Sequence, residues 1–180
     1  MQQSAKGLVD IRIEGEELFL AVPEPQFGEA TRSQLAAVAE GLGIVASDIR
    51  RAAIVDVGPV WFTIELASGD AVAALAPDMA KLAALPGVNV FGLYPAGGSA
   101  DLEVRSFAPG EGIPEDPVCG SGNGCVAALI RRDGVMTTPA YVASQGRCLG
   151  RDGRVRVEFK GEAIWLGGHS VTCVEGSLQA

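Results

Sequence analysis

Six consecutive apolar residues, Cys125-Val126-Ala127-Ala128-Leu129-Ile130, follow a stretch with glycine at positions 120, 122 and 124. A helix that is apolar on every side avoids the surface and must be enclosed by protein. In a chain of 180 residues this predicts one buried central helix, with the remaining elements packed around it.

The residues leading into that helix carry most of the chemistry in the chain: Glu115-Asp116-Pro117-Val118-Cys119-Gly120-Ser121-Gly122-Asn123-Gly124. Pro117 fixes its own φ and biases Asp116 towards an extended backbone, so the two acids belong to a strand or loop. A helix starting near Ser121 turns the free N–H groups of its first turn towards Asp116 and Cys119, which makes a cradle for a carboxylate or phosphate. Arg131 and Arg132 fall at the other end and complement the helix dipole. The glycine spacing does not match the dinucleotide pattern G-x-G-x-x-G, and no Gly-Lys-Ser/Thr of a nucleotide P-loop is present. The plain alternative is a glycine-rich turn that caps a core helix and holds no ligand.

Composition excludes several classes. The chain is 48% hydrophobic and 20% charged, with a net charge of −8 and a pI near 4.6. No basic run exists to neutralise phosphates, so nucleic acid is not an expected partner. No apolar stretch reaches the roughly 18 residues of a membrane span, and Met1 to Lys6 lacks the apolar core of a signal peptide. These features predict a cytoplasmic location with no membrane partner.

Cys119, Cys125, Cys148 and Cys173 are too irregularly spaced for a disulfide scaffold or a zinc site. Cys125, Cys148 and Cys173 are expected as small core residues. Cys119 differs, because a place beside a helix N-terminus lowers a thiol pKa and exposes the thiolate. The single histidine, His169, follows Gly167-Gly168 and is expected at a turn or surface. One histidine leaves little basis for a Ser-His-Asp or Cys-His arrangement.

Hydropathy patterning predicts an α+β fold with mostly antiparallel strands. An N-terminal hairpin spans Gly7 to Val22 across Glu14-Gly15-Glu16. Thr31 caps a helix over Ser33 to Leu42, which Gly43 ends. Strands are predicted over 52–57, 60–67, 88–94 and 101–107, with short helices over 70–75 and 78–85. Four further strands cover 140–144, 155–159, 163–166 and 170–174.

One set of residues resembles a known family. Arg105-Ser106-Phe107-Ala108-Pro109-Gly110, then Gly112-Ile113-Pro114-Glu115-Asp116-Pro117-Val118-Cys119-Gly120-Ser121-Gly122-Asn123, is similar to the signature of the PhzF-like isomerases, phenazine-biosynthesis-like proteins of the diaminopimelate epimerase superfamily. Weaker matches stand in order at Val55 to Phe62, at Ser144-Gln145-Gly146 with Leu149 to Gly153, and at Trp165 to Gly168 with Val174 to Gly176. The resemblance covers nearly the whole chain.

It implies a lobe in which a mostly antiparallel sheet wraps around a central helix, with substrate held between two such lobes. It also implies proton movement at carbon on a small carboxylate-bearing substrate, with no cofactor and no metal; for the phenazine enzyme the substrate is a dihydro-hydroxyanthranilate. Asp116, Cys119 and Ser121 become candidate catalytic residues, and Gly120, Gly122 and Asn123 candidate substrate-binding residues. Many relatives carry Thr or Ala where this chain has Cys119. Cys119-Gly120-Ser121-Gly122 is similar instead to the thiol site of epimerases and racemases, where the thiolate is one of two opposed bases. Thiol-dependent epimerisation is therefore the second reading, and a non-catalytic carboxylate-binding half-protein the third.

The Asn-Pro and acid/base Glu of the family's first lobe have no counterpart here, and His169, although it follows Gly168, is not in the position of that lobe's Gly-His. The resemblance divides the chain into a hairpin (1–24) that would pair with that lobe, a second epimerase-like lobe (25–168), and a returning strand (169–180). The expected partner is a second copy of the chain or a first-lobe polypeptide, because unpaired strand edges need one.

Overall fold

A computed structural model describes residues 2–4 and 7–177. In chain order the elements are β1 (Gln2–Ser4), β2 (Gly7–Val9), β3 (Ile11–Glu14), β4 (Glu17–Ala21), β5 (Gln26–Gly28), α1 (Arg32–Leu42), β6 (Arg51–Asp56), β7 (Val60–Glu65), α2 (Gly69–Ala73), α3 (Met79–Leu82), β8 (Gly87–Leu93), β9 (Leu102–Ala108), β10 (Ile113–Asp116), α4 (Gly120–Asp133), β11 (Ala140–Gln145), β12 (Gly153–Lys160) and β13 (Ala163–His169). Eleven strands form one sheet in the order β3-β4-β13-β12-β11-β9-β8-β7-β6-β5, with β10 added beside β9. The parallel pairings are β7 with β8 and β11 with β9; the rest are antiparallel. The fold is the expected α+β lobe.

Side chains alternate across each strand, so each strand feeds two layers. Leu102 and Val104 of β9, Ala143 of β11, Val157 of β12 and Ile164 and Leu166 of β13 enclose the apolar body of α4. From Gly122 to Ile130 every residue of α4 is buried, as its all-round apolar sequence requires. The opposite face carries Phe62, Ile64, Val88, Val90 and Phe107, which pack under Val38 and Leu42 of α1, Val72 of α2 and Leu82 of α3. Thr31 caps α1 in a reciprocal box with Gln34, and Gly43 ends it in the left-handed conformation.

The structure corrects the sequence reading at both ends of the sheet. The hairpin of β3 and β4 belongs to this lobe's own sheet: β4 runs antiparallel to β13, with Leu20 opposite Leu166 and Leu18 opposite Gly168, and β3 forms the end of the strand order. That pairing was obscured because Gly167-Gly168 reads as a turn. A Cβ at Gly167 would lie 2.2 Å from the Phe19 ring, so glycine here lets the strand pass a buried aromatic. β13 accordingly runs on to His169, while Ser170–Val174, expected as a strand, has no regular structure and is exposed. β5 and β10 escaped the periodicity reading because each is only three or four residues long and neither shows a buried–exposed alternation.

Candidate active site

The loop from Asp116 to Cys119 is held from below by the end of β11. Gln145 donates through Nε2 to the Asp116 carbonyl at 2.9 Å and to Ser106 Oγ at 3.2 Å. Its Oε1 accepts from the Cys119 N–H at 3.1 Å and from Asn123 Nδ2 at 2.7 Å. Two glycines allow this approach, since a Cβ at Gly146 would lie 2.5 Å from the Pro117 carbonyl, and one at Gly153 would lie 2.5 Å from Val118 Cγ2. Within the loop, Asp116 Oδ1 accepts from the Val118 N–H at 3.0 Å and closes a local turn.

Adjacent strand residues face opposite ways, which separates the two acids of the motif. Glu115 meets Arg105 in a bidentate pair, with both N···O distances 2.8 Å and both side chains buried. Arg105 also donates to the Leu75 carbonyl at 2.7 Å. Glu115 is thus committed to the layer under α2, and Asp116 is left half-exposed on the side of Cys119.

Cys119 is the N-cap of α4, whose first helical residue, Gly120, is one residue earlier than the helix start expected from sequence. Its sulfur accepts from the Gly122 N–H at 3.3 Å, and its carbonyl accepts from Asn123 Nδ2 at 2.9 Å. The thiol is 4% exposed. Burial pushes its pKa up, the Asp116 charge adds to the rise, and hydrogen bonds from Ser121, Gly122 and Ser106 oppose it. The expectation of an accessible, acidified thiolate is therefore corrected. Cys125 is in the core as predicted, with its pKa pushed up to about 12 by burial, whereas Cys148 and Cys173, expected in the core, are exposed.

Gly122 and Asn123 lie wholly beneath the helix start. A Cβ at Gly122 would sit 2.5 Å from Asn89 Oδ1 and 2.7 Å from Ser106 Oγ. Asn89 Nδ2 donates to the Gly122 carbonyl at 3.2 Å. These contacts make Gly122 and Asn123 residues that seat the helix. Gly120 is exposed and Ser121 half-exposed, and both border an apolar cavity of about 160 Å³ walled by Leu20, Val22, Pro23 and Val57. Ser121 Oγ accepts from Trp61 Nε1 at 3.0 Å and stands 3.6 Å from Cys119 Sγ. Trp61 fits because its neighbour across the parallel pair is Gly87, where a Cβ would be 2.7 Å from the ring.

The structure thus gathers Asp116, Cys119, Gly120 and Ser121 at one helix N-terminus. It adds Gln145, Trp61, Asn89 and Ser106, to which sequence reasoning gave no role. A polar Gln at the end of β11, and a Trp opposite a glycine, were the available signals.

The sequence profile of the PhzC-PhzF family, phenazine biosynthesis-like protein, matches residues 2–176. The chain belongs to this family. Antisense-enhancing sequence 1 of Schizosaccharomyces pombe is 30% identical over 196 residues, covering 98% of this chain and 65% of that protein. An uncharacterized isomerase of the same yeast is 34% identical over 144 residues, covering 69% of this chain and 74% of that protein. Among solved structures, a Bacillus anthracis protein of the PhzF family superposes with a TM-score of 0.74 at 17% identity, over 92% of this chain and 63% of that one. A PhzF-family protein of Enterococcus faecalis gives 0.67 at 26% identity, over 93% and 59%. The PhzF-family chain therefore spans a little under two thirds of the first of these relatives and of both solved structures.

Proposed function

We propose that this chain is a PhzF-like isomerase lobe that moves a proton at carbon on a small carboxylate-bearing substrate, without a cofactor, and supplies about half of the active site. The observation that carries the reading is the position of Ser121, at the mouth of an apolar cavity and on the first turn of a helix. The Gly120 and Ser121 amides have no acceptor within the helix, so they are free for a substrate carboxylate. Trp61 donates to Ser121 Oγ, which leaves the hydroxyl proton for a ligand or for Cys119. Asp116 is the acid/base candidate of this half, close enough for its charge to act on Cys119.

The opposing acid/base group comes from a first-lobe polypeptide. The apolar face of the hairpin supports that partner: Ile11 pairs with Leu20 and Ile13 with Leu18, and all four side chains are exposed on the side that α4 covers elsewhere. A thiol mechanism is less favoured, because Cys119 is buried and its sulfur is used as a helix cap.

The test is deuterium uptake from D2O into a dihydro-hydroxyanthranilate, using this chain mixed with the first-lobe segment of a PhzF-family relative. Exchange that needs both polypeptides and disappears in Asp116→Asn supports the proposal. Full exchange in Asp116→Asn, or exchange lost in Cys119→Ser, assigns the chemistry elsewhere. Saturable carboxylate binding without exchange identifies a binding module.

A further inference from the structure

Gln145 is 1% exposed, and its side-chain amide uses every hydrogen bond open to it. Nε2 donates to the Asp116 carbonyl and to Ser106 Oγ, and Oε1 accepts from the Cys119 N–H and from Asn123 Nδ2. A backbone carbonyl can only accept and a backbone N–H can only donate, so these partners fix which way round the amide stands. Asp116 and Cys119 are the first and fourth residues of a bend with Pro117 in second place. A stretch of that kind is often closed by a direct bond from the fourth N–H to the first carbonyl. Here the Gln145 amide stands between the two groups and takes both bonds.

The same amide ties the bend to its surroundings. Asn123 Nδ2 also donates to the Cys119 carbonyl at 2.9 Å, and the Asn123 N–H donates to that carbonyl at 3.0 Å. Both backbone polar groups of Cys119 are therefore fixed, one by β11 and one by α4. Gln145 is itself seated by its pairing with Gly153 of β12. The Asp116 carboxylate accepts from the Val118 N–H inside the bend, so it travels with the bend. Removal of the amide leaves the Asp116 carbonyl and the buried Cys119 N–H without these partners, which is costly. Closing on each other relieves that cost and draws Asp116 to a new place relative to Ser121. Of the titratable groups around Gln145, Asp116 and Cys119 lie on its side of the sheet; Glu103 and Arg105 of β9 and Arg154 of β12 alternate to the other side.

We propose that Gln145 is the positioning residue of the candidate active site: its amide, set between the Asp116 carbonyl and the Cys119 N–H, fixes the place of the Asp116 carboxylate against the start of α4. The inference rests on the reading of Asp116 as the acid/base group of this half. Its essential feature is the donor at Nε2, because an acceptor there would face the Asp116 carbonyl lone pair to lone pair. A glutamate keeps the shape and the acceptor for Cys119 and Asn123, and it regains the donor only when protonated. Gln145→Glu should therefore match the native site at low pH and lose it as pH rises, whereas a side chain that merely fills space gives no such switch.

The test compares the native chain, Gln145→Glu and Gln145→Ala between about pH 5 and pH 10, each mixed with the first-lobe segment of a PhzF-family relative and each checked for fold by thermal unfolding. Gln145→Ala should lower kcat for deuterium exchange roughly tenfold to a hundredfold, with KM within about twofold. The ratio of Gln145→Glu to native kcat should lie near one at the acid end and fall by a similar factor towards the alkaline end. Native kcat in folded Gln145→Ala, or a ratio that stays constant or rises with pH, would overturn the proposal. If Gln145→Ala does not fold, the Gln145→Glu ratio decides alone. Absence of exchange in the native mixture refutes the proposed function instead, and the bend is then read from ¹⁵N amide shifts of Val118 and Cys119 in the isolated chain. Shifts in Gln145→Glu that move away from the native ones as pH rises support the positioning; shifts that track the native ones throughout overturn it.

Discussion

A thiol at a helix N-terminus is ordinarily acidified by the helix, but at Cys119 burial outweighs the helix and the pKa moves up. The consequence is differential reactivity. A thiol reagent such as Ellman's should modify Cys148 and Cys173 quickly in the native protein, and Cys119 and Cys125 only after unfolding. Rapid native labelling of Cys119, located by peptide mapping, would contradict the buried cap. Cys125 adds a pH dependence: its folded pKa of about 12 lies above its ordinary value of 9.0. Its protonated form is favoured in the fold, so the stability linked to it is complete below about pH 9 and is lost as pH rises towards 12. Urea midpoints measured from neutral to alkaline pH should fall, and should fall less in Cys125→Ala. Asp116, Gly120 and Ser121 were legible as a site because they lie within six residues of one another. Gln145 was not, because its role depends on β11 ending beneath a loop that lies 26 residues earlier.

The start of α4 depends on which glycine is replaced. Gly122→Ala drives a Cβ against Asn89, Ser106 and the Cys119 sulfur, and should destabilise by about 2 kcal/mol or more. Gly120→Ala meets nothing within 4 Å, and should be neutral or slightly stabilising through helix propensity. Thermal unfolding of the two variants side by side checks the contrast, and equal Tm values would refute the close-packed helix seat. The all-round apolar stretch that predicted an enclosed helix was reliable, because burial acts on every residue of it. The pairing of β10 with Arg105 was less legible. Arg105 reads as a surface residue until Glu115 arrives beside it, so Glu115→Gln, which leaves that guanidinium buried without its counter-charge, should cost about 3 kcal/mol in urea unfolding.

At the scale of the molecule, the fold class followed from patterning, but the position of the hairpin did not. Its place in the sheet depends on Gly167 admitting Phe19, which no local periodicity encodes. The exposed row of Ile11, Ile13, Leu18 and Leu20 should make the isolated chain self-associate or bind a first-lobe polypeptide. In sedimentation, Ile13→Lys with Leu18→Lys should shift it towards monomer; unchanged association would mean that this face is not the contact. The same hairpin places a demand on synthesis. β4 leaves the ribosome about 145 residues before β13, the strand against which it pairs. At the usual pace of roughly 5–20 residues per second, the hairpin and one wall around α4 wait about 7–30 s for their partner. During that interval the newborn chain carries an open sheet, and over the last part of it an α4 still lacking the β13 wall, so its yield in a cell should depend on chaperone supply more than its final stability suggests.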